Sequence, residues 1–165
     1  MSNSQSFVSN EESIARILHN AWVVDGRLQL AAFTLRPRET YISVNRPSLY
    51  SFLSDVSVFV QSHVDYQYSG SSCLCAMLKV GDVRNINVVY DNQPLCIDVE
   101  VEPRAQHTAS HAGIFSRIGG VNIKAGQTLP AEMLPLGLSA DDVLMEIGWE
   151  LIAISSVEEK ILQDT

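Results

Sequence analysis

The chain has 165 residues, enough for one domain that buries about 70% of its unfolded surface and needs neither disulfides nor a structural metal to hold a core. Hydrophobic residues at 46% exclude wholesale disorder, and a net charge of −8 excludes general nucleic-acid binding, because affinity for phosphate backbones needs a basic stripe. Most of the acidic excess falls in residues 84–165, whereas residues 25–46 carry Arg27, Arg36, Arg38 and Arg46 against Asp25 and Glu39. That stretch suits a small anionic ligand.

Residues 1–10 lack a basic flank and an apolar run, so they read as a flexible terminus with no targeting signal. No window reaches the ~18 apolar residues that span a bilayer. Cys73, Cys75 and Cys96 are odd in number and sit in apolar surroundings, which predicts reduced thiols in a cytoplasmic protein. Nothing divides residues 11–165, which read as a single globular domain.

Ile14, Ile17 and Leu18 recur at helical spacing behind Asn10 and two acids, predicting a helix over 11–20 with Asn10 as its N-cap. Asp25-Gly26 between apolar segments predicts a hairpin of 21–24 with 27–35, since both turn positions tolerate positive φ. Residues 41–44 are β-branched and aromatic, a short strand. Leu49, Phe52, Leu53, Val56, Phe59 and Val60 repeat every three or four residues, a helix over 49–61 with one face on a sheet.

Turn residues then separate strands at 73–80, 85–90 and 95–102, read as an antiparallel meander. In the last of these, Leu95, Ile97, Val99 and Val101 alternate with Cys96, Asp98, Glu100 and Glu102. A weak strand is expected at 121–124. Ser139 with Asp142 makes a capping box for a helix over 140–147, Gly148 suits its end, and 149–155 reads as a strand in preference to a helix continued to Leu162. The predicted fold is α+β, a mainly antiparallel sheet carrying two to three short helices.

Four constellations have chemical potential. His107 and His111 share a His-x3-His spacing but lack the glutamate and helical flanks of a zinc motif, so one reads as a loop hydrogen-bonder and the other as solvated. Cys73 and Cys75 share a strand face, with Cys96 on another strand, yet a single intervening residue is uncommon for zinc and buried small hydrophobes are the preferred reading; no metal or cofactor is expected. Asp98, Glu100 and Glu102 read as a solvated face. Around Arg36 and Arg46, two guanidiniums at strand ends suit bidentate capture of an anion, with Glu39 or Ser43 handling a proton, against the plainer reading of weak surface ion pairs.

The blocks Gly26-Arg27-Leu28, Ala32-Phe33, Leu35-Arg36-Pro37, Glu39 and Ile42-Ser43-Val44, followed by Val101-Glu102-Pro103 and Ser110-His111-Ala112-Gly113-Ile114, resemble a pattern in a family of small uncharacterised bacterial proteins. The resemblance covers about half the chain and implies a fold and a shared site at Arg36, Glu39, Ser43 and His111, without implying a reaction. Separately, Val143 to Ile152 is similar to a helix-Gly-Trp-Glu-Leu-strand unit of small bacterial domains.

Two functions compete. One is a non-catalytic binding module for a protein partner or a small anionic ligand, favoured by the absence of a nucleophile elbow, P-loop, dinucleotide fingerprint or zinc motif; exposed strand edges leave room for a homodimer. The other is an enzyme acting on a nucleotide or phosphoester-like substrate. It would have Arg36, Arg46 and His107 binding and His111, aided by Glu39 and Ser43, as acid or base.

Overall fold

The computed structural model describes residues 7–87, 89–90, 93–101, 109–127 and 139–162. Its first strand, β1 (Ser13–Ile17), stands where the apolar spacing predicts a helix, and Asn10 caps none. β1 lies between two strands, pairing along its whole length with β5 (Ser72–Lys79) and, at Ala15 opposite Asn45, with β4 (Tyr41–Asn45). Ile14 faces one core cluster, while Ala15 and Ile17 face another. A strand buried on both faces shows no polar alternation, and its apolar residues here coincide with helical intervals.

The Asp25-Gly26 turn forms as its residues dictate, with φ of 51° and 76°, and joins β2 (Val23–Val24) to β3 (Arg27–Leu28). The strand expected over 27–35 ends early. A 3-10 turn at Leu30–Phe33 replaces it and drives Ala32 and Phe33 into the core. The next helix, α1 (Phe52–Ser62), agrees with its periodicity: Phe52, Val56 and Val60 pack on Ala15, Ile17, Cys73 and Cys75.

After β5 the chain makes α2 (Val80–Arg84), which buries Val80 and Val83, so the strand expected over 85–90 shrinks to β6 (Val89–Tyr90). In β7 (Gln93–Val101), Ile97 and Val99 are buried and Cys96 is exposed, as alternation predicts; Glu102 lies outside the described residues. β8 (His111–Ile118) pairs with β7 on one side and with β4 on the other, and β9 (Val121–Asn122), which follows it, pairs with its end.

The capping box at Ser139 and Asp142 forms, with both reciprocal hydrogen bonds. The helix it starts, α3 (Ala140–Ile154), does not stop at Gly148, and β10 (Ser156–Ile161) follows it. Both sequence alternatives for this stretch are therefore corrected. Gly148 serves contact instead of termination, because a Cβ there would stand 2.8 Å from Leu30 Cδ1.

The main sheet runs β10-β5-β1-β4-β8-β7-β6, with β9 also on β8, and every neighbouring pair is antiparallel. Consecutive pairing extends from β6 to β9. β5 leaves the expected meander to lie between β1 and β10. One face packs Ile14, Leu78, Val44, Ile114 and Val99 against α3, α2 and the Leu30–Phe33 turn. On the other face α1 covers β1 and β5, and β4, β8 and β7 carry Tyr41, Ser43, Asn45, His111, Phe115, Asp98 and Glu100. Among the described residues no helix is long and apolar enough to cross a membrane.

Candidate binding site

The residues singled out from sequence divide along β4. Arg36 and Glu39 lie just before its first residue, Tyr41, which pairs with Phe115; His111 pairs with its last, Asn45. Four residue-to-residue steps of strand separate the two ends by roughly 13 Å at ~3.3 Å per step. Ser43, opposite Gly113, lies between them and shares the His111 face. His107 lies outside the described residues. No acid or base pair joins Arg36 to His111.

Arg46 is corrected from an anion clamp to an interior strut. Its side chain is 2% exposed, its Nε and Nη2 donate to Glu12 at 3.0 and 2.9 Å, and Nη2 also donates to the Phe7 carbonyl at 3.0 Å. Ser48 Oγ donates to the same carboxylate at 2.8 Å. Burial raises the Glu12 pKa, but hydrogen bonds from Arg46, the Ser9 amide and Ser48 outweigh it, and the net shift is downward. Next to this pair, the Ser110 amide donates to Asp55 of α1 and the Asn45 amide donates to Ser110 Oγ, fixing the start of β8.

His111 is half-buried, with the Tyr41 ring edge-on at 6.0 Å. The carboxylates of β7 are occupied: Arg84 donates to Asp98 at 2.7 Å, and Arg117 pairs with Glu100 at 2.7 Å. Cys73 and Cys75 are buried with sulfurs 3.9 Å apart, and their mutual hydrogen bond holds Cys75 above and Cys73 below the ordinary thiol pKa. Cys96 stands on β7 beyond β1, β4 and β8, roughly 19 Å from β5 at the usual strand spacing. Among the described residues no group of three His, Cys, Asp or Glu side chains is placed to hold a metal ion.

A residue that the sequence reading passed over is hydrogen-bonded to the basic segment. Arg16, in the middle of β1, is half-buried; its Nε donates to the Ala32 carbonyl at 3.1 Å and its Nη1 to the Ser43 carbonyl at 2.9 Å. Its guanidinium lies over the Trp22 ring, 5.1 Å from the centroid. Burial is the main influence on it and lowers its pKa; Tyr66 and Glu39 act electrostatically in the opposite sense, and Arg36 reinforces the lowering. The Arg36 side chain is 82% exposed and stands 3.8 Å from Glu39. Trp22 in turn meets His19 and Tyr66 at 5.8 Å each. The signal available in sequence was an arginine inside an apolar run, which becomes informative once that run is known to be a central strand.

Searches against protein-family models, curated proteins and solved structures found no match for this chain.

Proposed function

We propose that the protein is a non-catalytic binding module, cytoplasmic and of bacterial type, whose ligand is a small anion held at Arg16, which lies over Trp22 and feels the charge of Arg36. The observation carrying this reading is the register of β4 against β8, which sets the basic corner and His111 at opposite ends of one strand. General acid or base catalysis needs its proton-transfer group within hydrogen-bond reach of the bound substrate, and here the two halves of the enzyme reading are separated by several residues of sheet. The resemblance noted above points to Arg36 and Glu39, and equally to Ser43 and His111, as shared positions. Three free cysteines accord with a reducing compartment.

Phosphorus NMR of nucleoside monophosphates and simple phosphomonoesters incubated with the protein tests this. Binding without catalysis gives broadened ligand resonances that are recovered unchanged after the protein is removed. A new phosphorus resonance produced by the wild type and lost in a folded His111→Ala variant would establish the enzyme reading instead.

A further inference from the structure

Among the described residues four arginines are at least half-buried: Arg16, Arg46, Arg84 and Arg117. Three of them have a carboxylate, namely Glu12 for Arg46, Asp98 for Arg84 and Glu100 for Arg117. Arg16 has none. Its contacts are two neutral backbone carbonyls and the face of an indole, and its Nη2 amino group, with two N–H donors, meets no acceptor among the described residues. Removing a guanidinium from water without a counter-charge is costly, and carbonyl acceptors compensate only part of that cost. The carboxylate that acts on it electrostatically, Glu39, is drawn towards Arg36 by a contact to its side chain and a hydrogen bond from its backbone amide.

We propose that Arg16 is the seat of a compact oxyanion, a carboxylate or phosphate group, received by the Nη2 edge and backed by Arg36. This inference rests on the binding reading above and names the residue that carries it. The chemistry favours an oxyanion over a halide because the planar guanidinium presents N–H donors in directions that match the oxygens of such groups. Two of the five donors are already committed to Ala32 and Ser43, so the fork is held rigidly and loses little freedom when the anion arrives. Arg36 adds a second cation on an exposed side chain. Trp22, in contact with the receiving group, reports its occupancy.

The test uses the full chain with Trp149→Phe. Trp149 is 55% exposed on α3, and replacing it leaves Trp22 as the single tryptophan. Inorganic phosphate and acetate are titrated separately at constant ionic strength, with chloride as the balancing salt, and Trp22 fluorescence is followed. A saturable change with phosphate, acetate or both is expected, and which of them saturates identifies the anion class. Arg16→Lys, which keeps the charge and loses the fork, should weaken binding by about tenfold or more, the loss associated with a charge-assisted hydrogen bond.

Because Arg16 also supports Ala32 and Ser43, its variants can be unstable, and the wild-type protein supplies a second readout. The Arg16 side-chain Nε resonance, assigned by its absence from Arg16→Lys or by through-bond correlation in the wild type, should move with the same saturation curve as the fluorescence. Binding that persists unchanged in Arg16→Lys, with a static Nε resonance, overturns the Arg16 assignment and leaves the binding reading standing. A linear, chloride-like response to both anions overturns the Arg16 assignment. Turnover of a phosphoester would instead remove the non-catalytic reading while leaving the oxyanion seat intact.

Discussion

Arg46 and Arg36 look alike in the sequence, two arginines beside proline at the ends of one strand, and the fold gives them opposite lives. What separates them is Glu12, far away in the chain, which reaches Arg46 with both carboxylate oxygens. Nothing local to either arginine announces that partner. Truncating Arg46 to Ala strands Glu12 in a largely buried position, and a loss of about 3–5 kcal/mol in denaturant unfolding is expected. The pair also has a pH signature. Glu12 is held below its ordinary pKa when folded, so its contribution to stability is complete above the ordinary carboxylate value and disappears as pH falls through the lowered one. The stability gap between wild type and Glu12→Gln should therefore narrow on acidification; a gap that stays constant from neutral pH into the acid range contradicts this role. Arg16 belongs to the same scale. Its importance was illegible because an unpaired arginine is recognised only when the burial and partners of all the others are known.

Elements whose two faces differ were readable, and elements whose faces are alike were not. α1 and β7 each show one apolar and one polar side, so their periods of 3.6 and 2 stand out. β1 is covered on both faces by different clusters, which erases the period and leaves a misleading helical spacing. Glycine was ambiguous in the same way, since a stop signal and a close-contact signal use the same residue. Gly148 and Gly113 both serve close contact, and they differ in how far the neighbouring atoms can yield. At Gly113 a Cβ would lie 2.7 Å from Tyr41 Cδ2 and 2.9 Å from Phe115 Cε2, ring atoms that are themselves packed at 5.1 Å between centroids. Gly113→Ala should cost about 1–3 kcal/mol through overpacking. Gly148→Ala meets only the flexible tip of Leu30 within 3 Å and gains helix propensity of about 1 kcal/mol, so its melting temperature should stay close to wild type. Thermal denaturation of the two variants side by side checks the contrast, and equal losses would mean that Leu30 cannot yield.

At the scale of the whole molecule the sequence yielded the class of fold and withheld its strand order. Turn residues mark where strands end, but the pairing of β5 with β1 and β10 joins segments distant in sequence, and no local feature records it. The consequence for dynamics is measurable. β1, β4, β5 and β8 have partners on both edges, while β10 and β6 end the sheet. In native-state hydrogen exchange the amides of β1, β4, β5 and β8 should be the slowest and those of β10 among the first strand amides to exchange. Protection in β10 equal to that in β1 would show the edge to be covered in solution. The separation of Arg36 from His111 is likewise a property of the whole sheet, since it depends on how β8 is aligned against β4.

The position of β10 on the outer edge of β5 also bears on how a ribosome delivers this fold. β1, β4 and β5 precede β10 in the chain and can assemble three neighbouring strands of the sheet, yet the edge of β5 that β10 will cover stays bare until β10 itself has been synthesised. During that interval the nascent protein displays the ladder of backbone donors and acceptors from Ser72 to Met77, an edge able to pair with another unfinished chain. Translation speed over the segment between β5 and β10 therefore sets how long that exposure lasts.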